Sequence, residues 1–476
     1  MNLIDFKNKR VTVMGIGLHG GGVGVIKFLA GQGAKVLATD LRTKEELKES
    51  LEILKGLPVE YVLGQHKMEN FTQADLVIKN PAVPADSKYL AAAKKKNIPI
   101  ESDIGIFMEL CPAPIIGVTG TKGKSTTAAI LAHLLAQHFR QVILAGNIRQ
   151  SVLEHLPSVT KDSIVVLELS SWQLADAKHH QKSPYVAVIT NIMQDHLNRY
   201  GSFQDYIEDK KLIFKFQKEK DYLFLNFDDT LLREISKQVT SRIYFYSING
   251  SELLHAELPA LNQKARMGAY TKGKKVYYGA AQEEICNLSD IKLAGQHNLA
   301  NVLAAISVAD LYNVPRQKIK SSLRTFTGLE GRLQFIVELK GVKYINDTTA
   351  TAPDAALAAI KTISQSLAEQ KKGKIILIAG GADKNLDFKE LGNVISEKCG
   401  AVILLEGTAT AKLKKEISDA LPISKANSME KAVALASKIA KTGDIVLLSP
   451  GCASFGLFKH EFDRGKKFNE AVKSLK

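Results

Sequence analysis

Pro114-Ile-Ile-Gly-Val-Thr-Gly-Thr-Lys-Gly-Lys-Ser-Thr-Thr127 is the stretch on which the fold turns. Ile115 to Val118 is a short apolar run that reads as a buried strand. The Ala/Leu-rich segment Ala128 to Ala136 reads as a helix. A strand, a glycine-rich turn and a helix in that order make a phosphate cradle. Backbone N–H groups of the loop and of the helix N-terminus point at the anion, and glycine lets the backbone come close. On that reading Gly120, Thr121, Lys122 and Gly123 form the loop and Lys124 reaches the outer phosphates. Ser125 or Thr126 holds Mg²⁺. The strict pattern G-x-x-x-x-G-K-[ST] needs glycine at 118, where this chain has Val118; its glycines are Gly117, Gly120 and Gly123. The plain alternative, a Gly/Lys-rich surface turn, leaves the flanking strand and helix unexplained.

On the N-terminal side lies a second glycine turn. Val11-Thr-Val-Met-Gly15 is an apolar run that ends in Gly15-Ile-Gly17-Leu18-His19-Gly20. A helix-like stretch, Val23 to Ala30, and the strand Lys35-Val-Leu-Ala-Thr-Asp40 follow. This is a βαβ unit of the dinucleotide type, with an acid about 20 residues past the turn, placed to meet a ribose hydroxyl. The bland alternative is an α/β turn whose glycines serve packing. Further β/α alternation leads to Asp75-Leu-Val-Ile-Lys-Asn-Pro81, whose Asn80-Pro81 lies at a strand's carboxyl end, where open α/β sheets bind ligands. Cys111-Pro-Ala-Pro114 reads as a linker, because two prolines fit neither a helix interior nor a central strand.

On the C-terminal side, near-continuous Val/Ile/Leu runs at 141–147, 163–171 and 185–191 fit parallel strands covered on both faces. From about 221 to 278 the runs are shorter and aromatic, as expected of a smaller, partly antiparallel edge region. An Ala/Leu-rich helix over 298–311 closes this part. Near Phe326-Thr-Gly328 a third α/β unit begins, with strands at 343–346, 374–379, 401–405 and 444–448. The expected class is therefore α/β with three domains: Rossmann-like over 1–112, a central P-loop ATP-binding domain over 113–326, and a second Rossmann-like domain over 327–476.

Composition limits the function. The chain has 476 residues, too many for one ordinary core. No apolar run approaches the ~20 residues that span a bilayer. The first ten residues lead straight into a strand without the apolar core of a signal peptide, so a cytoplasmic address is expected. Cys111, Cys286, Cys399 and Cys452 are scattered and suggest neither a zinc site nor a disulfide framework. The net charge of +15 is spread over lysines without an arginine-rich or aromatic stripe. Such an excess fits nucleic acid, a membrane surface or anionic small substrates; spread this way the lysines read mostly as solvated faces and helix C-termini, and no nucleic acid or membrane partner is expected.

Several polar residues stand where sheets carry chemistry. Glu168 lies in the apolar run Val165-Val-Leu-Glu-Leu169, where a carboxylate is costly unless paired or bound to a cation. It is placed to organise Mg²⁺ beside the P-loop. Asp195-His196 follows the strand that ends at Asn191. Lys210 reads, on composition, as one more helical lysine. Asp347 and Lys384 sit at βα turns suited to a nucleotide sugar or a carboxylate, and Arg332 offers a planar fork for phosphates.

In their order these stretches resemble the Mur ligase superfamily, over nearly the whole chain. Gly117-Val-Thr-Gly-Thr-Lys-Gly-Lys-Ser-Thr126 resembles the family's own P-loop, and Leu167-Glu-Leu-Ser-Ser-Trp-Gln-Leu174 its acidic strand. Thr190-Asn-Ile-Met-Gln-Asp-His-Leu-Asn-Arg-Tyr200 resembles the histidine motif, and Tyr206-x-x-x-Lys210 the lysine carried as a carbamate. Gly295-Gln-His-Asn-Leu-Ala-Asn301, Asn346-Asp347 and Leu448-Ser-Pro-Gly-Cys-Ala-Ser454 continue the match. The resemblance implies a UDP-sugar on the first domain, ATP on the second and an incoming amino acid on the third. It recasts the first glycine turn as a UDP diphosphate cradle, with Gly17, Leu18, His19, Asp40, Arg42 and Asn147 at the UDP-sugar. Asn298, Asn301, Arg332 and Asp347 match positions that hold ATP, and Lys384 and Ser454 positions that bind the amino acid. Ser125 and Glu168 would organise one Mg²⁺; His196 and a carbamylated Lys210 would organise a second.

The implied reaction joins D-glutamate to UDP-N-acetylmuramoyl-L-alanine through an acyl phosphate, in peptidoglycan precursor synthesis, with Lys124, Glu168, His196 and Lys210 as the catalytic set. A monomer is expected. Two departures stand out. The family's Asp-Ser-Lys-Ala-Thr-Asn is here Asp347-Thr-Thr-Ala-Thr-Ala352, and its Gly-Leu-Pro-His-Arg is here Gly328-Leu-Glu-Gly-Arg332. They bear on which amino acid, or which enantiomer, is added. The rival readings are a related ligase adding another amino acid such as L-glutamate, and a nicotinamide-dependent oxidoreductase built on the first glycine turn.

Overall fold

The computed structural model describes residues 5–475 apart from 19, 82, 85, 147–150, 195–199, 294, 371–372 and 384–385. His19, Asn147, His196 and Lys384 therefore lie outside the described residues. The chain forms two compact units, one of residues 1–291 and 296–324, the other of 292–295 and 325–476.

The first unit holds two sheets. The first is fully parallel and built from β1 (Arg10–Met14), β2 (Lys35–Asp40), β3 (Val59–Leu63), β4 (Leu76–Lys79) and β5 (Ile100–Glu101), in the order β3-β2-β1-β4-β5. The second has nine strands: β6 (Ile115–Thr119), β7 (Val142–Gly146), β8 (Ile164–Glu168), β9 (Val186–Ile189), β10 (Tyr222–Asn226), β11 (Arg242–Ser247), β12 (Ala265–Lys272), β13 (Lys275–Tyr278) and β14 (Glu283–Asn287). Their order is β14-β13-β12-β11-β10-β9-β6-β8-β7. Its pairing is parallel from β7 to β12 and antiparallel at β12-β13-β14. The aromatic stretch thus contributes three strands, β10 to β12, to the parallel part of the sheet before the antiparallel edge begins. β6 and β8 are buried along their whole length, which is why their sequences are continuous Val/Ile/Leu runs rather than alternating ones.

The sequence Cys111–Pro114 does end a helix, Asp103–Leu110, and β6 starts one residue later. The sheets on its two sides share one core all the same. Ile104, Phe107 and Met108 of that helix, Val25 of the first sheet's covering helix, and Val152, Leu153 and Leu174 beside the second sheet belong to a single buried cluster. A two-proline connection is too short to separate apolar faces of this size, and burying them together removes more surface from water.

The second unit has one sheet of β15 (Gln334–Leu339), β16 (Val342–Asn346), β17 (Ile375–Ala379), β18 (Cys399–Leu405), β19 (Ile423–Ala426) and β20 (Ile445–Leu448), ordered β15-β16-β20-β17-β18-β19. β15 is antiparallel to β16 and every other pairing is parallel. Its two faces carry separate apolar clusters, so both sides of the sheet are covered. Among the described residues, no helix is long and apolar enough to cross a membrane.

Candidate active site

Each sheet of the first unit reverses its strand order at one strand, and a glycine turn follows that strand. β6 lies between β8 and β9, so the loop after it opens into the crevice where an α/β sheet takes its ligand. The three glycines there each answer a neighbour. A Cβ on Gly117 would strike Pro184, one on Gly120 (φ +147°) would strike Thr190 Oγ1, and one on Gly123 (φ +86°) would strike Asn301 Oδ1. Val118, by contrast, is fully buried inside the strand, paired with Glu168 and Val188. The glycine spacing is thus set by packing around the turn.

The loop is held from the end of β9. Asn191 accepts from Lys122 N at 2.9 Å through Oδ1 and donates to Lys122 O at 3.0 Å through Nδ2. Its own carbonyl accepts from Thr121 N at 2.9 Å, and Thr190 Oγ1 donates to Lys122 O at 2.6 Å. On the other side Thr127 Oγ1 donates to Asn301 Oδ1 at 3.2 Å, and Asn301 Nδ2 reaches Asn298 Oδ1 at 3.5 Å. Asn298 and Asn301 come from the helix Gln296–Leu311, which lies against the P-loop helix Lys124–Leu135.

Two lysines converge on the loop. Lys124 Nζ donates to the carbonyls of Gly120 and Thr121, both at 3.1 Å. Lys210 Nζ donates to the same Gly120 carbonyl at 2.8 Å. Lys210 is only 1% exposed, and its ammonium lies 4.6 Å from the centre of the Tyr206 ring. Two cations at one carbonyl, Lys210 buried and Lys124 facing the cavity, make an electropositive spot that suits polyphosphate. Glu168 closes β8 beside them and is 2% exposed, in register with Val118 and Gly146. Ser125 is the second residue of the P-loop helix. A buried carboxylate and a hydroxyl are hard oxygen donors, and this set fits Mg²⁺. His196 falls outside the described residues.

β1 is the reversal strand of the first sheet, and its loop carries Gly15 (φ +97°) and Gly17 (φ +72°). Asp40 braces this loop. Its Oδ2 accepts from Ile16 N at 2.9 Å and Gly17 N at 3.1 Å; its Oδ1 accepts from Arg42 N at 3.0 Å and Arg42 Nη1 at 3.4 Å. A cavity of about 1110 Å³ runs from this loop to the P-loop. Gly17, Leu18, Asp40, Arg42 and Asn80 line one side of it, and Lys124, Trp172, Gln173, Tyr206 and Lys210 the other.

In the second unit, Asp347 follows β16. Its oxygens accept from Leu333 N at 3.1 Å and Ser449 Oγ at 2.7 Å. Burial outweighs these bonds and the Arg332 and Arg464 charges, pushing the Asp347 carboxyl up to about 7. Arg332 is exposed, and Ser454 is buried at 3%. The two departures from the family pattern touch each other. Thr349 N and Oγ1 both donate to Gly331 O, at 3.0 and 2.8 Å. A Cβ on Gly331 (φ +68°) would come within 2.7 Å of Thr348 Cγ2 and 3.3 Å of Thr349 Cγ2. Arg464, fully buried, fixes the same turn, donating to Thr348 Oγ1 at 3.1 Å, Thr348 O at 2.8 Å and Cys452 O at 3.1 Å.

Some of these groups are legible in the sequence and others are not. Tyr206 sits four residues before Lys210, one helical turn away, and that spacing is the signal that pairs them. Thr190 and Asn191 stood inside a quoted motif, yet their grip on the P-loop depends on β6 and β9 being neighbours. Nothing local marks Arg464, since a lone helical arginine is ordinarily solvated.

A crevice with a P-loop, a buried acid and two converging lysines defines a nucleotide-using α/β enzyme, and comparison with known proteins places it. Family models match as a Mur ligase MurD-like N-terminal domain over residues 9–102, a Mur ligase middle domain over 118–309 and a Mur ligase glutamate ligase domain over 331–452. The UDP-N-acetylmuramoylalanine–D-glutamate ligase of Roseiflexus sp. (strain RS-1) is 43% identical, over 99% of this chain and all of that one. The enzyme of the same name from Acetivibrio thermocellus is 35% identical, over 98% and 97%. The chain belongs to the Mur ligase family. Solved structures agree on the fold. The UDP-N-acetylmuramate-alanine ligase MurC of Thermotoga maritima superposes with a TM-score of 0.59 at 18% identity, over 98% of this chain and all of that one. The MurF ligase of the same organism gives 0.53 at 18%, over 98% and 99%.

Proposed function

We propose that this chain joins D-glutamate to UDP-N-acetylmuramoyl-L-alanine at the expense of ATP, in the synthesis of peptidoglycan precursors. The observation that carries the reading is end-to-end identity of 43% with a ligase of that name. The cavity supports it, because one glycine loop for a diphosphate and a second for a triphosphate open into the same space. The nicotinamide reading of the first loop leaves Lys124, Lys210 and Glu168 without a task.

On this reading the γ-phosphate of ATP passes to the alanyl carboxylate, giving an acyl phosphate and ADP. The amino group of D-glutamate attacks the acyl carbon, and inorganic phosphate leaves from the tetrahedral intermediate. Such chemistry needs mainly positioning and charge neutralisation. Lys124 turns from the Gly120 and Thr121 carbonyls to the β/γ-phosphates, and the amides at the start of the helix, 123–126, hold the phosphate oxygens. Ser125 and Glu168 would hold Mg²⁺, which supplies charge neutralisation between the phosphates. A second ion at His196 and Lys210 requires Lys210 as its carbamate, an anion in place of the ammonium now on Gly120 O. Leu18, His19, Asp40, Arg42 and Asn147 receive the UDP-sugar, with Asp40 acting through the loop amides it holds. Asn298, Asn301, Arg332 and Asp347 serve ATP, and Lys384 and Ser454 the amino acid. Domains over 1–112, 113–326 and 327–476, one copy of the chain per active enzyme and a cytoplasmic site of action accompany this proposal.

The test is phosphate release with UDP-N-acetylmuramoyl-L-alanine, ATP and Mg²⁺, comparing D-Glu, L-Glu, L-Ala and diaminopimelate. D-Glu is expected to stimulate release above the others. If D-Glu gives no more phosphate than buffer, the assignment fails.

A further inference from the structure

Glu101, His179 and His180 form a cluster that the reaction above does not use. Glu101 ends β5, and the two histidines lie in the 3₁₀ turn Lys178–His180 that follows the helix Ser171–Ala177. The Nε2 of His179 lies 2.9 Å from Glu101 Oε1, and that of His180 lies 3.0 Å from Glu101 Oε2. One donor atom from each residue can be chosen so that all lie within 4.8 Å of one another. The imidazoles are side by side, with ring centres 4.2 Å apart. The Glu101 and His180 side chains are about one-tenth exposed, while that of His179 is half exposed and leaves one flank open to solvent.

We propose that Glu101, His179 and His180 are a divalent transition-metal site that braces the first sheet against the second. Two imidazole nitrogens and a carboxylate are the donor set of borderline ions such as Zn²⁺, Co²⁺ and Ni²⁺, and a poor set for Mg²⁺. Ligands on such an ion at about 2.0–2.2 Å stand roughly 3–3.5 Å apart. Each imidazole already stands near that separation from one Glu101 oxygen, and the three donors lie within 4.8 Å of one another, so side-chain rotations admit the ion. Each neutral imidazole then carries its proton on Nδ1 instead of Nε2. His180 Nδ1 faces Glu109 Oε2 at 3.6 Å, the kind of carboxylate that orients a metal-bound histidine from behind. Lys182 pairs with that carboxylate at 2.8 Å. Gly105 makes room on the third side, because a Cβ there would lie 3.0 Å from His180 Nε2 and 3.1 Å from Glu101 Oε2.

The site lies outside the cavity, since none of its three ligands lines it. It acts on the cavity wall at one remove. The helix Ser171–Ala177 begins with Ser171, Trp172 and Gln173 in the wall and runs on into the histidine turn. A bound ion would anchor that helix to β5.

The test titrates Co²⁺ into metal-free full-length protein without ATP or Mg²⁺, reading visible ligand-field bands and heat. One Co²⁺ per chain is expected, displaced by Zn²⁺ and not by a tenfold excess of Mg²⁺. In His179→Gln/His180→Gln and in Glu101→Gln the affinity is expected to fall at least about tenfold, and in Glu109→Gln by less. Circular dichroism checks that each variant is folded. Absence of saturable bands in the wild type, or unchanged binding in the folded double-histidine variant, overturns the proposal.

Discussion

Lys124 and Lys210 share one carbonyl, and that detail separates their expected phenotypes. Lys124→Ala removes the cation that faces the phosphates and is expected to lower phosphate release at least about a hundredfold, as loss of a preorganised charge does. Lys210→Ala is expected to lose activity and to recover part of it with a short carboxylate, since the proposed working form of that side chain is an anion. Activity unaltered in Lys210→Ala would remove the carbamate from the mechanism. In the second unit, Asp347 gives a pH signature. Its carboxyl is near 7 folded against an ordinary value of 3.8, so between about pH 4 and 7 the native state holds a proton that the unfolded state has lost. Stability from this group therefore falls as pH rises through that window, by on the order of 4 kcal/mol in total. Asp347→Asn is expected to flatten the dependence, measured as denaturation midpoint against pH. Gly331→Ala is expected to cost about 1–3 kcal/mol, because φ +68° and the Thr348 methyl both oppose a side chain.

At the scale of elements, the site is made by strand ends and the turns after them. β6, β8 and β9 present the P-loop, Glu168 and Asn191 side by side only because the order β9-β6-β8 makes them neighbours. Helix starts are fixed locally. Ser170 accepts from Gln173 N, and Gln173 Oε1 accepts in return from Ser170 N at 3.0 Å, a reciprocal cap in the wall of the cavity. Ser170→Ala is expected to cost about 1 kcal/mol and to loosen Gln173, visible as a raised KM for the UDP-sugar with less change in kcat. The P-loop glycines were legible from the sequence as a cradle. Their spacing matches the family's own loop, but its physical cause needs the fold, because Pro184, Thr190 and Asn301, which the glycines accommodate, are distant in the chain. Asp40 was likewise legible as a residue at a nucleotide loop, whereas its use of both oxygens to hold that loop required the fold.

For the whole molecule, the division into two compact units predicts how the chain comes apart. Limited proteolysis is expected to cut near Thr325 and to leave residues from about 325 onward as a folded fragment with its own two-faced core. Cuts at Cys111–Pro114 are expected to be slow, because the sheets on either side share one apolar cluster. Rapid cleavage there, before any near 325, would contradict that reading. Lys79 of β4 and Asp176 of the helix Ser171–Ala177 pair at 2.7 Å across the same junction, with side chains only 11% and 15% exposed. Such a pair is costly to break from one side.

What the sequence determined by itself was local and ordered: strand, glycine turn, helix; an acid in an apolar run; a lysine one turn after a tyrosine; and the order in which these recur, which is enough for the family. Backbone propensity, apolar period and motif spacing are properties of neighbouring residues, so they survive without the fold. What only the tertiary structure decided was which distant groups meet. Strand order put Thr190 and Asn191 on the P-loop, burial made Lys210 and Asp347 unusual, and packing set Gly331 against Thr349 and Glu101 against His179 and His180. These depend on dielectric and close contact, and neither exists until the sheets have formed and their apolar faces are covered.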